Sequence, residues 1–236
     1  MLGKKERFDG MLETRNGSFL CDDFKFDFER QKAPLIELWT AEPPIEKEFG
    51  VVYLSGMGER HIMLGVEIEQ VRQLGKGNGF YVLAYGLERR ILAQPVITQT
   101  QNMPAPVALA AVAKAAGLGF LSVVPAGIEP KSLVFYDSLR SALDQIALCY
   151  GFDQERWTID VKGEKLILTA GRLPGVSAEV DYEHLIAETE KGLEMAIIPG
   201  FRPLLPFTHR GKEFVVDQVT FDGKRQSMFL GLRPWT

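Results

Sequence analysis

The chain lacks the segments on which several protein classes depend. It has two cysteines in 236 residues, too few for a disulfide scaffold or a cysteine-rich zinc site. No apolar run approaches the roughly 20 residues that a membrane-spanning helix needs. The first residues also have no apolar stretch of the kind found in a secretory signal. We therefore expect no membrane span, and a soluble protein made in a reducing compartment.

The sequence also lacks the spacings that mark common catalytic and metal sites. No His-x-x-x-His, Cys-x-x-Cys or Gly-x-Ser-x-Gly motif occurs, which removes the usual zinc signatures and the nucleophile elbow. The histidines are scattered, at His61, His184 and His209, and we expect His61 and His209 to be exposed. Cys149, at the end of a predicted helix, is expected to be buried and inert. We predict no catalytic residue, no metal and no cofactor, and hence no enzyme.

The balance of charge argues against a nucleic-acid partner. Lys and Arg total 27 against 31 Asp and Glu, a net charge of -4, whereas a general nucleic-acid binder presents a basic face. The apolar fraction of 46% is typical of a globular protein. A chain of this length buries a core without disulfides or metal.

What the first third of the chain does contain is a series of strand patterns. In residues 22–30, Phe24, Phe26 and Phe28 alternate with charged residues and so share one face of a strand. We interpret that face as core, and the alternative is an aromatic platform that stacks on sugars or bases. Further strand patterns follow in the short order typical of a small barrel or sandwich, at residues 35–39, 49–54, 62–74 and 80–85.

The glycine-rich loop at residues 75–79 predicts a hairpin turn. A phosphate-binding Walker loop needs Ser or Thr after its Gly-Lys pair, and then a helix. Here Gly77 follows Lys76, and a strand pattern follows the loop. We therefore expect these glycines to supply the positive φ angles of a turn between two strands.

The middle of the chain predicts two helices. The first, at residues 107–116, is rich in alanine, follows Pro104 and ends at Gly117. The second begins at Asp137 or Ser138 and carries apolar residues at three- and four-residue spacing. An extended segment follows each helix, and the second of these continues as a hairpin: residues 120–124, 157–161 and 165–169.

The last third returns to strands. The predicted strands there occupy residues 193–198, 201–208, 213–221 and 224–232, with a hairpin turn at Asp222-Gly223. The predicted fold class is α+β and mostly β: two small barrel-like antiparallel β domains with an inserted α/β unit that carries two helices. The expected domains are an N-terminal barrel at 1–95, the α/β insertion at 96–172, and a C-terminal meander of the second barrel at 173–236.

Acidic residues gather between Asp181 and Glu190. A pair of carboxylates can hydrolyse a glycoside, so a hydrolase that uses these acids is one hypothesis. Such a density of carboxylates is more often a solvated face. Replacing two of the acids by alanine would test the hypothesis.

Several of these segments, taken in order, resemble one known family. They are residues 79–92, the helix that ends Ala115-Ala116-Gly117-Leu118, the helix and glycine at 137–152, the hairpin at 157–168 and the meander at 203–232. The order resembles the baseplate hub of contractile phage tails, including Mu-like hubs and the related base of type VI secretion spikes. The resemblance covers roughly residues 49–232.

The resemblance implies a structural role. It implies two barrel-like domains joined by α/β elements, in which a strand is followed by a short helix. It also implies a homotrimer that forms a ring. The ring would contact the tail tube and the central spike, in the tail or baseplate of a virion whose parts are made in the bacterial cytoplasm. No spike, β-helix or cell-wall-cutting segment is present in the sequence.

The sequence therefore supports two alternative hypotheses for the function. The first is the hub ring of a phage or phage-like tail, with no small-molecule substrate. The alternative is a small-barrel module that binds carbohydrate or nucleic acid through the Phe24/Phe26/Phe28 face or the region of Trp39. A hub should assemble with copies of itself, whereas a binding module should bind a ligand saturably as a monomer.

Overall fold

The computed structural model describes residues 7–30, 32–56, 58–75, 77, 79–122, 130–151, 157–160, 164–169, 172–173 and 177–235. The backbone packs into two compact units, one combining Met1–Leu87 with Val176–Thr236 and the other formed by Glu88–Gly175. The predicted division into three domains, with boundaries after residues 95 and 172, stays a prediction.

Six strands of the first unit form a closed antiparallel barrel. They are β1 (Asp9–Thr14), β2 (Gly17–Glu29), β3 (Leu35–Thr40), β4 (Phe49–Gly56), β5 (Glu59–Gln73) and β6 (Phe80–Gly86). Their order around the barrel is β1–β4–β5–β6–β3–β2, and β2 pairs again with β1. Each barrel strand therefore has a partner on both sides, and closure removes the edges that an open sheet presents.

The C-terminal strands of the first unit extend the same sheet. They are β12 (Ala178–Glu179), β13 (Leu185–Thr189), β14 (Gly192–Ala196), β15 (Pro206–His209), β16 (Lys212–Asp222) and β17 (Ser227–Pro234). The long strand β2 pairs with two strands along one edge. Its residues 17–21 pair with β1, and its residues 25–29 pair with β16. The two ends of the chain therefore meet along one strand.

The phenylalanine face is core, as predicted. Phe24, Phe26 and Phe28 are all buried. The rings of Phe24 and Phe26 lie 4.8 Å apart, and Phe221 of β16 packs edge-on to Phe28 at 5.9 Å. Because these rings belong to the hydrophobic core, the interpretation as an exposed stacking platform is wrong.

The hairpin between β5 and β6 is confirmed, with one change of face. Gly75, Gly77 and Gly79 all have positive φ, as a turn between paired strands requires. Simple alternation along residues 62–74 would place Gln70 on the same face as Ile68. A bulge shifts the register between these two residues, so Val71 packs against the core instead.

The second unit alternates short strands and helices. Its elements are α1 (Glu88–Ala93), β7 (Pro95–Met103), α2 (Ala105–Ala115), β8 (Gly119–Ser122), β9 (Lys131–Ser138), α3 (Leu139–Tyr150), β10 (Trp157–Ile159) and β11 (Lys165–Leu168). The helix α3 begins at an N-cap where Ser138 Oγ accepts a hydrogen bond from Ser141 N at 3.2 Å. It ends at Gly151, whose φ of 68° is left-handed.

The strands of the second unit form two small sheets. The first has the order β10–β11–β8, with β10 antiparallel and β8 parallel to β11. The second is an antiparallel ribbon of β7 and β9. Among the described residues, neither strand of this ribbon pairs with a further strand, which leaves both of its edges open.

The α+β, mostly β class is confirmed, with 58% of residues in strands and 15% in helices. Several details differ from the expectations. Three helices are described instead of two, and α1 occupies the place of the short helix that the family resemblance implied. The strands β7 and β9 were not predicted, because polar residues such as Thr98 and Gln99 mask the alternation in β7. The outer parts of two predicted segments, 123–124 and 161, lie outside the described residues.

The C-terminal meander is confirmed, but β15 and β17 start later than predicted. Residues 201–205 are not a strand: Leu204 has a φ of 68° and donates its backbone N–H to the carbonyl of Val216 at 2.8 Å. The turn after Asp222 is wider than a two-residue hairpin, and β17 starts at Ser227.

Candidate functional site

The Trp39 region is a packed aromatic pair on the barrel. Trp39 is half-buried and meets Tyr81 edge-on, with ring centroids 5.4 Å apart. The hydroxyl of Tyr81 donates to Glu37 Oε1 at 2.7 Å. Burial and this hydrogen bond raise the pKa of Tyr81 to about 12. Both rings are held by neighbours on the same sheet, so the pair has a structural explanation.

The histidines do not converge on a site. His184 is exposed, whereas His61 is half-buried. The expected exposure of His209 is wrong: its side chain is 13% exposed, and its ring stacks on Phe207 with centroids 6.5 Å apart. The reason is that β15 extends to His209, so the residue belongs to the sheet and not to the turn.

The acids between residues 181 and 190 fall into two groups. Ligand atoms of Asp181, Glu183 and His184 lie within 4.8 Å of one another, and all three residues are exposed. Glu188 forms an ion pair with Arg210 at 2.6 Å and approaches His209 at 3.7 Å. An exposed acidic group is usual on a protein surface, and an ion pair already engages Glu188.

The two cysteines have different environments. Cys21 is buried inside the barrel. Burial, together with the nearby Asp22 carboxylate, raises the pKa of its thiol to about 12 and keeps it protonated. The prediction that Cys149 is buried is wrong, because it is half-buried near the end of α3.

One carboxyl group of the second unit is largely removed from water. Burial raises the pKa of Glu88 to about 7, and the charge of Asp160 acts in the same direction. Its Oε2 is buried and has no hydrogen-bond partner among the described residues. Glu88 therefore stays protonated up to about pH 7, where an ordinary glutamate is already ionised.

Exposed apolar side chains stand out on the surface. Large apolar residues in contact with solvent occur in both units: Leu20, Ile45, Phe49, Ile62, Ile97, Val107, Leu121, Val134, Tyr136, Leu148 and Ile186. Scattered single residues of this kind are normal, whereas residues that form one contiguous patch mark an interaction surface. Two such patches can be built from the strand registers.

The first patch crosses four strands on the outside of the barrel. In register, Leu20 of β2 lies opposite Met11 of β1, Met11 opposite Tyr53 of β4, and Tyr53 opposite Ile62 of β5. Opposite residues of paired strands share a face, so the four side chains form one row, which we call the barrel stripe. Leu20 is 65% exposed and Ile62 55% exposed at its two ends, whereas between them Met11 is buried at 8% and Tyr53 is half-buried.

A polar network borders the barrel stripe. The hydroxyl of Tyr53 bonds to Glu13, and Glu13 Oε1 pairs with Arg60 Nη1 at 2.7 Å. An apolar centre with a polar rim is the usual anatomy of a protein interface. The barrel stripe and its border have this anatomy.

The second patch is the outer face of the β7–β9 ribbon. Ile97 lies opposite Tyr136, and Gln99 lies opposite Val134; we call these four residues the ribbon face. Ile97 and Tyr136 are each 82% exposed and Val134 is 58% exposed. On the opposite face of the ribbon, Val96 and Phe135 are buried.

A signal for the ribbon face was present in the sequence. Leu133-Val134-Phe135-Tyr136 is a continuous apolar run within β9. A strand buried on one face alternates apolar with polar residues, whereas a strand covered on both faces is continuously apolar. The run therefore predicts a strand with both faces covered, although the described residues of this chain cover only one.

No protein-family model matches the chain, and neither does any curated protein. Solved structures do match. The chain is similar to the 43 kDa tail protein of prophage MuSo2 from Shewanella oneidensis, with a TM-score of 0.65 and 10% identity over 96% of this chain and 98% of that one. It is similar to the tail protein from Neisseria meningitidis MC58, with a TM-score of 0.65 and 8% identity over 96% of both chains.

A third solved structure belongs to a secretion system. The Escherichia coli c3393 protein is a component of the type VI secretion system and exhibits structural similarity to the T4 bacteriophage tail proteins gp27 and gp5. It matches with a TM-score of 0.63 and 10% identity over 95% of this chain and 77% of that one. The fold is therefore the fold of phage tail and type VI secretion proteins, as the family resemblance implied. No helix among the described residues is both long and apolar enough to cross a membrane.

Proposed function

We propose that this chain is a structural component of a phage or phage-like tail baseplate, the hub ring that links the tail tube to the central spike. The observation that carries the proposal is the match in fold to two tail proteins, one of them from a prophage, over at least 96% of each chain. A match over whole chains supports a shared role more strongly than a shared single motif, because superfolds recur but whole domain combinations recur less often.

The exposed surface supports an assembly role. The barrel stripe is an apolar row with a polar border, which fits a surface that copies of the chain bury against one another. In this role the chain acts by presenting surfaces and not by catalysis. It is made in the bacterial cytoplasm and resides in the tail of the virion, with tube and spike proteins and its own copies as partners.

The experiment is light scattering on the purified chain over a range of concentrations. We expect a mass of about 79 kDa, which is three copies of the 26.4 kDa chain. Ile62→Glu places a charge in the barrel stripe and should shift the mass to that of one chain. Leu148→Glu is the matched control, because Leu148 is an exposed apolar residue of α3, and it should leave the mass unchanged.

Two results would contradict this proposal, the first the hub ring itself and the second the role of the barrel stripe in it. One is a wild-type chain that stays at 26 kDa at every concentration and shows no rings by negative-stain electron microscopy. The other is a trimer that Ile62→Glu and Leu148→Glu affect equally, which would remove the barrel stripe from the assembly. Circular dichroism of each variant verifies that it is folded.

A further inference from the structure

A closed ring of identical chains needs two different surfaces on every copy. In a ring the contact is heterologous, so one surface of each chain meets a different surface of the next chain. The barrel stripe supplies one of the two. The ribbon face is the other large apolar sheet surface that the described residues expose.

The two surfaces are similar in construction and in size. Both are faces of antiparallel strands, and sheet faces pack on each other through interdigitated apolar side chains. The ribbon face exposes roughly 400 Å² of apolar surface and the barrel stripe about 300 Å². Their contact would bury about 700 Å² of apolar surface, and polar rims of ordinary width bring such a contact into the range of a specific interface.

Charge favours contact at these two surfaces between copies of this chain. The net charge of -4 makes copies repel one another. None of the four residues of the barrel stripe and none of the four of the ribbon face is charged. An uncharged face meets another uncharged face without desolvating an unpaired ion, which would be costly.

Burial of the exposed face would stabilise the ribbon more than it would stabilise the closed barrel. Its apolar run in β9 is typical of a strand covered on both faces. A two-stranded ribbon is marginal by itself, and open edges beside exposed apolar residues promote uncontrolled association. Burial of the ribbon face in an assembly satisfies both requirements.

We propose that the ribbon face of one copy packs against the barrel stripe of the next copy around the ring. This inference rests on the proposed function, and it names the pair of surfaces that closes the assembly. Tyr136 and Ile97 insert beside Tyr53, and the exposed ends of the stripe, Leu20 and Ile62, flank them. Two other occupants of the ribbon face, a second ribbon face or an unrelated protein, are outcomes that the test separates.

The test is cross-linking between two preparations of the full chain. One carries Tyr136→Cys and the other Ile62→Cys, both with Cys149→Ser, since Cys149 is partly accessible and Cys21 is buried. One preparation has an affinity tag, so that mixed and homogeneous dimers differ in mass. A short bismaleimide is added to the mixture, and Leu148→Cys mixed with Ile62→Cys is the matched control.

We expect mixed Tyr136–Ile62 dimers at a yield at least tenfold above the control. Dimers that form with Tyr136→Cys alone would show ribbon faces meeting each other and would overturn the proposal. A yield equal to that of the Leu148 control would overturn it as well, and would leave an unrelated protein as the occupant of the ribbon face.

A second measurement separates this inference from the proposed function. Tyr136→Glu alters a highly exposed side chain and should reduce the light-scattering mass as Ile62→Glu does. If Ile62→Glu dissociates the trimer and Tyr136→Glu does not, the hub ring stands and the ribbon contact is wrong. If the wild type shows no assembly but the mixed cross-link forms at high concentration, the contact stands and the stable ring is wrong.

Discussion

The first unit, which contains the barrel, and the second unit, which contains the three helices, bury their apolar residues in different ways. We call them the barrel unit and the helix-bearing unit. In the barrel unit, six strands are paired on both sides and enclose one core of aromatic and aliphatic side chains. In the helix-bearing unit, helices cover one face of a two-stranded ribbon, while its other face and both of its edges stay open among the described residues. The difference teaches that closure lets the barrel pair every strand within one chain, whereas the two-stranded ribbon leaves one apolar face exposed.

The largest expected effect lies in the barrel core. Phe26 is fully buried between Phe24 and Phe221, so Phe26→Ala should lower the free energy of unfolding by about 3–5 kcal/mol through lost contacts and a cavity. The matched control is Phe49→Ala in the same unit, where the ring is exposed and the cost should stay below about 1 kcal/mol. Urea unfolding measures both. Equal costs would show that the closed barrel is not the main source of stability.

Leu143→Ala tests whether the helix-bearing unit has a core of its own. Leu143 of α3 is fully buried, and its truncation should cost about 2–5 kcal/mol. Hydrogen exchange should accelerate within residues 88–175 and stay unchanged in the barrel strands. Leu148→Ala on the exposed side of the same helix should change neither. Faster exchange in the barrel strands would mean that the two cores unfold together.

The buried carboxyl of Glu88 should make the helix-bearing unit sensitive to pH. Its pKa rises from the ordinary 4.5 to about 7 in the folded chain, so folding retains a proton that the unfolded chain releases. Stability should therefore fall by up to about 3 kcal/mol as the pH rises from about 4.5 to about 7, and level off above that.

Glu88→Gln should remove this fall, which is measured as the Tm at pH 5 and at pH 8. Glu164→Gln provides the control, because Glu164 is an exposed acid of the same unit. A Glu88→Gln variant that keeps the full pH dependence of the wild type would refute the assignment.

The smallest effect concerns the start of α3. Ser138→Ala removes the hydroxyl that accepts from Ser141 N and should cost about 1 kcal/mol in urea unfolding. Ser141→Ala keeps that backbone N–H and places a good helix former inside the helix, so it should cost less. If the two serines prove equivalent, the cap does not contribute to the stability of this unit.

Features that depend on residues close together in the chain were predicted correctly from the sequence, whereas features that depend on distant residues were not. The phenylalanine face, the glycine hairpin after β5 and the capped helix α3 were all predicted, because each depends on residues close together in the chain. The ribbon was missed, because its strands are separated by α2 and β8 and the polar residues of β7 hide the alternation. The burial of His209 was missed for a similar reason, since only pairing with β16 brings it into the sheet.

The candidate surfaces show the same division. The sequence by itself determined the alternation of Phe24, Phe26 and Phe28, the glycine turn after β5 and the cap of α3, and it carries the apolar run of β9. Only the tertiary structure decided that Leu20, Met11, Tyr53 and Ile62 form one row, and that β2 pairs with β1 and then with β16. The physical reason is that the backbone hydrogen bonds between two strands are the same whichever side chains the strands carry. The choice of partner strand, as between Phe26 and Phe221, is therefore made by the packing of the whole core.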